Sequence, residues 1–98
     1  MNDNMKIAFC WYQADEWQKL KERAADVDIL DDTYDEWKSN ATRAVKDLRA
    51  EGQLIQKVKI NIDDLEAWCA QHNKENNSAA RSEFAVEILK RRQSTLKA

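Results

Sequence analysis

The sequence predicts a small α+β domain in which two strands and four helices follow the order β-α-α-β-α-α. Apolar residues recur every three or four positions in four segments and alternate in two others, and the chain holds one glycine and no proline. Because 98 residues with 43% hydrophobic content support one modest core, a single domain is expected over residues 6–93. Residues 1–5 are expected to be disordered and residues 94–98 to fray.

The first strand is predicted in residues 6–12. Every residue after Lys6 in this stretch is apolar or aromatic, so both faces of an extended segment are apolar. This pattern is typical of a strand that is covered on both sides.

The first helix is expected to begin near Ala14 or Asp15. Asp15 and Glu16 suit the positive end of a helix dipole, and Trp17 opens an apolar stripe. The periodicity breaks in the aspartate-rich stretch 26–32, which predicts an irregular connection. The stripe that runs along this helix consists of Trp17, Leu20, Ala24 and Val27.

The second helix has the clearest start signal in the chain. Thr33 and Glu36 have the spacing of a capping box, in which each side chain accepts from the backbone N–H of the other residue. The residues that then repeat at core spacing are Tyr34, Trp37, Ala41, Ala44, Val45 and Leu48. Gly52 falls where a left-handed helix terminus favours glycine. The triplet Asp-Glu-Trp at 35–37 repeats residues 15–17, but the sequences diverge after the tryptophan, so two helices merely begin alike.

The second strand is predicted after Gly52, because apolar residues there alternate with Lys57, Lys59 and Asn61. Asn61 or Asp63 is expected to cap the third helix and Ser78 the fourth. One side of the strand is predicted to hold Leu54, Val58, Ile60 and Ile62, and the fourth helix is predicted to turn Phe84, Ala85, Ile88 and Leu89 inward. The stripe of the third helix is Ile62, Leu65, Trp68, Cys69 and His72, and His72 is expected to be partly exposed at the helix end.

The two strands are separated by roughly 40 residues and two helices, which is ample chain for a parallel crossover. They pair either within one chain or across a dimer. Because a two-stranded sheet is small and the first strand is so apolar, the hypothesis is a homodimer formed through a strand edge.

Charge and hydropathy argue against several functional classes. The 16 basic and 18 acidic residues leave a net charge of -2, which gives no general attraction to nucleic acid or anionic lipid. The longest apolar run, Ile7 to Tyr12, is far shorter than the roughly 20 residues of a membrane span. No signal peptide is recognised, so a cytoplasmic location with Cys10 and Cys69 as free thiols is expected.

No motif in the sequence predicts a metal or a cofactor. Cys69 and His72 share a helical face, and Cys10 is a third donor, but a structural zinc site wants four ligands. A Cys69–His72 nucleophile is the least favoured function, since Cys69 adjoins Trp68 on the inward face. The acidic residues of stretch 26–36 lack the glycine of a calcium loop, which favours capping and solvation or contact with a basic partner.

Three segments resemble a pattern in small one-domain bacterial proteins without an assigned function. They are Asp32-Thr-Tyr-Asp-Glu-Trp, the helix end Leu48-Arg-Ala-Glu-Gly, and Val58-Lys-Ile-Asn-Ile-Asp-Asp-Leu-Glu-Ala-Trp-Cys. The resemblance covers about residues 6 to 92. It implies a soluble bacterial cytosolic protein and supplies no active site.

The function predicted from the sequence is a non-enzymatic protein-interaction or regulatory module. Trp11, Tyr12 and Tyr34 are the candidate contact residues, because aromatic side chains dominate interface energetics. The alternative is a nucleic-acid-associated regulator that uses the basic fourth helix. In that alternative the phosphate-binding residues are Arg81, Lys90, Arg91 and Arg92.

Overall fold

The computed structural model describes the backbone of residues 6–97 and the side chains of residues 6–92. The α+β class and the element order are confirmed, with a 3-10 helix at Val27–Ile29 as an addition. The expectation for residues 1–5 lies outside the described residues, and only the backbone up to Lys97 is described where fraying was expected. The elements are β1 (Ile7–Trp11), α1 (Ala14–Arg23), α2 (Tyr34–Ala50), β2 (Ile55–Lys59), α3 (Ile62–Gln71) and α4 (Ser78–Lys97).

The two strands form a parallel sheet within one chain. Ile7 lies opposite Ile55 and Trp11 opposite Lys59. Residues with the same parity on the two strands therefore share a face, because side chains alternate between the faces of a sheet. Ala8, Cys10 and Val58 lie on one face, whereas Ile7, Ile55 and Lys57 lie on the other.

The main core lies on the Val58 side of the sheet, under α3 and α4. Leu20 of α1 and Val58 are both fully buried there, and Ile60 continues the same face. His72, the last residue of the predicted stripe, is exposed at the C-terminal end of α3. The helix residues that complete this core are Ile62, Leu65, Trp68, Cys69, Phe84, Ala85 and Leu89.

The predicted ends of α2 are confirmed. Thr33 Oγ1 accepts from the Glu36 N–H at 3.1 Å, and Glu36 Oε1 accepts from the Thr33 N–H at 3.1 Å. Gly52 has φ +94°, and the Gln53 N–H then returns to the Leu48 carbonyl at 3.0 Å. This left-handed turn directs the chain from α2 towards β2.

Helix α1 is shorter than its apolar stripe. It ends at Arg23, and Val27 belongs to the 3-10 helix. The chain leaves the helix at Ala24, which is extended, and the Ala25 N–H donates to the Asn76 carbonyl at 2.8 Å instead of to a helical carbonyl. Beyond that point the Asp26 carboxylate accepts from the Ser78 N–H at 2.9 Å and from the guanidinium of Arg81, so the sequence periodicity continues where the helix does not.

Two predictions at the other elements were also wrong. The cap of α4 is Asn77, whose Oδ1 accepts from the Ala80 N–H at 3.0 Å, so Ser78 is the first helical residue. Leu54 is 45% exposed, because it precedes β2 and lies beyond the cover of the helices. No helix in the described residues is long and apolar enough to cross a membrane.

Candidate functional site

Strand β1 has one free edge. The Ile7 N–H donates to the Leu54 carbonyl at 2.8 Å, and the Trp11 carbonyl accepts from the Ile60 N–H at 3.0 Å. Alternate residues of a parallel strand direct their backbone groups to the same side, so Ala8 and Cys10 direct theirs away from β2. Within residues 6–92, no backbone or side-chain hydrogen bond is described for the outward N–H and C=O groups of these two residues.

A groove of about 260 Å³ follows this free edge. Ala8 and Cys10 from one face of β1 line it together with Phe9 from the other face, an arrangement that only the strand edge permits. Ala8, Phe9 and Cys10 are half-buried, and Ile7 before them is 44% exposed. The expected cover of both faces of β1 is thus only partial.

One wall of the groove is apolar and is formed by Leu30 and Trp37. The Trp37 ring is held by an aromatic cluster at ring-centroid distances of 5.1 Å from Trp11, 5.1 Å from Tyr12 and 5.7 Å from Tyr34. The three contact residues predicted from the sequence therefore surround a fourth aromatic residue. That residue, Trp37, lines the groove, as does Tyr12.

The predicted contact residues differ in their positions. Tyr12 lines the groove but is only 5% exposed, and its carbonyl accepts from the Tyr34 hydroxyl at 3.1 Å. Trp11 lies on the sheet face away from α4, with Lys57 Nζ 4.1 Å from its ring centroid. Trp11 and Tyr34 thus contact the Trp37 ring but are not among the residues that line the groove. The helical stripe of α2 signalled that Trp37 is inward, but not that it borders an open edge.

The opposite wall is polar and comes from the first turns of α4, where Ser78, Arg81 and Ser82 line the groove. Arg81 is only 5% exposed. Its guanidinium donates to both carboxylate oxygens of Asp26 at 2.9 Å and to Asn76 Oδ1 at 3.0 Å. A bidentate pair of this kind compensates the burial of the charge. The hydrogen bond from Arg81 holds the pKa of Asp26 below its ordinary value.

The floor of the groove is uncharged. The Cys10 thiol donates to the Arg81 carbonyl at 3.4 Å, and burial raises its pKa above the ordinary value. Burial also raises the pKa of the Tyr12 phenol. Both groups are consequently protonated at neutral pH, so Cys10 is not an activated thiolate.

Cys69 and His72 make separate contacts. The Cys69 thiol donates to the Glu75 carbonyl at 3.8 Å, whereas His72 Nδ1 lies 2.8 Å from the Trp68 carbonyl. Burial raises the pKa of Cys69, which disfavours the thiolate that nucleophilic attack requires. In the described part of the chain, no three His, Cys, Asp or Glu side chains are grouped to hold a metal ion.

The structure places Arg81 apart from the other basic residues of α4. Arg81 lies inside the domain on Asp26, while Arg91 pairs with Glu87 on the surface. Lys90 and Arg92 are exposed further along the helix. The structure therefore separates Arg81 from the other phosphate-binding candidates.

Comparison with known proteins finds no relative. The chain matches no protein-family model, and no curated protein or solved structure shows significant similarity to it. Functional inference therefore depends on the geometry of the groove.

Proposed function

We propose that this chain is a non-enzymatic protein-binding module that accepts an extended segment of another polypeptide as a third strand beside β1. The outward N–H and C=O groups of Ala8 and Cys10, on the floor of a groove with side-chain walls, carry the proposal. In strand addition, such main-chain groups supply hydrogen bonds, and the walls select side chains. The residues in direct contact are then Phe9, Leu30 and Trp37.

The form of the groove favours a free-standing segment over a second copy of the domain. Strand β1 lies between Trp37 on one side and Ser78 with Ser82 on the other. For two copies to pair through β1, each strand has to enter the groove of the other, between side-chain walls that a free-standing segment does not have. The homodimer through a strand edge is thus the competing outcome in the test below.

The cellular setting is part of the same proposal. We assign the module to the bacterial cytosol, on the resemblance of segments such as 32–37 to small bacterial proteins. In support, Cys10 and Cys69 are both free, which suits a reducing compartment.

The test uses proline at position 8. Proline has no N–H, and in a strand it is tolerated where the N–H faces away from the sheet. Ala8→Pro is therefore expected to keep the fold and to prevent the addition of a strand. Lys57→Pro is the matched control, because Lys57 directs its N–H to the outer edge of β2. The probes are synthetic peptides of about ten residues that alternate valine and threonine, enough to pair with a five-residue strand.

Isothermal titration calorimetry should detect binding to the wild-type chain and to Lys57→Pro, and at least a tenfold loss with Ala8→Pro. Amide chemical shifts of Ala8 and Cys10 should change on titration of the wild type. Equal binding by both proline variants contradicts the proposal, as does no binding by the wild type. A dimeric mass in sedimentation equilibrium that Ala8→Pro converts to a monomer would assign the edge to self-association instead.

A further inference from the structure

The groove beside β1 opens on the core side of the sheet. Three residues that share one face of the strand line it, namely Ala8, Cys10 and Tyr12. Leu30 and Trp37 pack against the same core cluster as these strand residues, so the apolar wall lies on that side too. Because the side chains of an added strand alternate between the faces of the sheet, only every second one enters this space.

The lining of the groove offers no free charge. Arg81 is the one ionised residue among the described residues that line it, and its guanidinium already donates to Asp26 and Asn76. Burial raises the pKa of the Cys10 thiol and of the Tyr12 phenol, so both groups are neutral. A charged side chain that enters the groove therefore loses its hydration and gains no partner.

The groove has room for a bulky side chain. Ala8, Cys10, Ser78 and Ser82 contribute only small side chains to its lining, and its volume is about 260 Å³. An apolar cavity of about 150 Å³ holds a benzene ring. A side chain of the size of leucine or phenylalanine therefore fits between the Trp37 wall and the start of α4.

We infer that the natural partner segment inserts one large, uncharged apolar side chain as an anchor into the groove between Trp37 and the start of α4. This inference rests on the strand addition proposed above and adds the side chain that the site selects. An aromatic ring gains most, because its contact with the half-buried Trp37 ring adds to the apolar area that it buries. The residues immediately before and after the anchor face away from the groove and are not selected.

The experiment varies two neighbouring positions at the centre of the valine–threonine peptide and measures affinity for the wild type by calorimetry. The valines are expected to face the groove, because they are the apolar set of the alternation. Replacing the central valine by lysine should weaken binding at least about tenfold, since the ammonium group is desolvated without a partner. Replacing it by phenylalanine should strengthen binding about threefold. Either replacement at the adjacent threonine should change the affinity by less than about twofold.

A variant of the chain tests the same point from the side of the groove. Ser82 is exposed on α4 and lines the groove, so Ser82→Leu fills part of the space and leaves the strand edge free. It should abolish the advantage of the phenylalanine peptide over the valine peptide. The matched control is Ser39→Leu, an exposed position of α2 that lines a different cavity, and it should keep this advantage.

The two proposals fail in different ways. If lysine weakens binding equally at both central positions, or at neither, the inference about the anchor is overturned and strand addition stays intact. An unchanged advantage of phenylalanine in Ser82→Leu also overturns it, because the anchor then does not enter this groove. If none of the peptides binds the wild type, strand addition itself fails and the inference fails with it.

Discussion

The two outer edges of the sheet are built differently. On the edge of β2, the Ile55 carbonyl accepts from the Arg49 guanidinium at 3.0 Å, and Lys57 and Lys59 are both exposed. On the edge of β1, Ala8 and Cys10 are small and uncharged and lie in a groove. Lysines on an edge strand and covered carbonyls both discourage the addition of another strand.

The difference shows that one edge is protected and the other is accessible. A strand that approaches β2 has to displace the Arg49 contact and desolvate two ammonium groups, whereas a strand that approaches β1 meets free backbone groups. Near its end, the edge of β1 is limited by the Tyr34 hydroxyl on the Tyr12 carbonyl. The accessible part of this edge is therefore only a few residues long, and under the proposed function it suits a short segment.

The largest expected effect on stability comes from replacing one of the two arginines that border these edges, and the two replacements should differ in their cost. Arg81→Met removes one partner of a buried bidentate pair and should lower the free energy of unfolding by about 3 kcal/mol. Arg49→Met leaves the Ile55 carbonyl without its side-chain donor and should cost about 1 kcal/mol. Urea unfolding followed by tryptophan fluorescence measures both losses.

Arg91→Met is the control for loss of an arginine on α4. Its pair with Glu87 is exposed, so the loss should be below about 1 kcal/mol. If Arg81→Met lowers the free energy of unfolding no more than Arg91→Met does, the hydrogen bonds of Arg81 do not stabilise the groove wall.

The second prediction concerns the two sides of β1 itself. The register directs the Phe9 N–H towards β2, so Phe9→Pro should break the sheet. It should lower the free energy of unfolding by about 2 kcal/mol or more, because a buried hydrogen bond is lost and the ring is displaced. Ala8→Pro should cost clearly less, because its N–H faces the groove. The midpoint temperature of thermal unfolding should be much lower for Phe9→Pro than for Ala8→Pro. The reverse order would contradict the conclusion that Ala8 faces a free edge.

Acid should weaken the wall of the β1 groove. The hydrogen bond from Arg81 holds the pKa of Asp26 below its ordinary value of 3.8, so the carboxylate stabilises the fold at pH values above 3.8. This contribution is lost as the pH falls through the lowered pKa. The difference in unfolding free energy between the wild type and Asp26→Asn should therefore shrink below about pH 4.

Urea titrations between neutral pH and about pH 2 give that difference, with Asp47→Asn as a control on an exposed carboxylate. If the difference in unfolding free energy between the wild type and Asp26→Asn stays constant down to the lowest pH, the Asp26 carboxylate does not contribute to the acid dependence of stability.

The smallest effect on stability should come from the lysines of β2. Replacing Lys57 and Lys59 by threonine should change the free energy of unfolding by about 0.5 kcal/mol or less, because both are exposed. The same change removes the charge that protects this edge. Sedimentation velocity should then reveal self-association of the double variant at concentrations where the wild type shows none, and unchanged behaviour would place the protection in Arg49 alone.

Much of the fold followed from local patterns. Thr33 and Glu36 satisfy each other's backbone N–H groups within four residues, and Gly52 adopts the one left-handed conformation that glycine accepts without strain. The alternation around Lys57 and Lys59 predicted a half-buried strand. Local hydrogen bonds and periodic burial depend on residues that are close in the sequence, so both can be predicted from it.

The misplaced predictions share one cause. Val27 continues the apolar stripe of α1, yet the helix ends at Arg23, and beyond it the Ala25 N–H donates to the distant Asn76 carbonyl and Asp26 pairs with Arg81. Asn77 replaced Ser78 as the cap because Asp26 accepts from the Ser78 N–H. Long-range polar contacts of this kind leave no periodic signal.

The candidate site was found only in part. Trp11 and Tyr12 were predicted from their aromatic type at the end of the apolar strand and Tyr34 from its place beside the acidic residues, and the structure gathers all three around Trp37. The sequence assigned Trp37 to the core, because inward helical spacing does not distinguish a core residue from one that borders a groove.

By itself, the sequence determined the element order, most element ends and the near neutrality of the chain, because these depend on residue type and spacing along the backbone. The tertiary structure alone decided that the strands pair within one chain, that Arg81 is buried on Asp26, and that the outward groups of Ala8 and Cys10 face a groove. A strand edge stays open where no other element packs against it, and whether one does depends on how distant segments of the chain are placed.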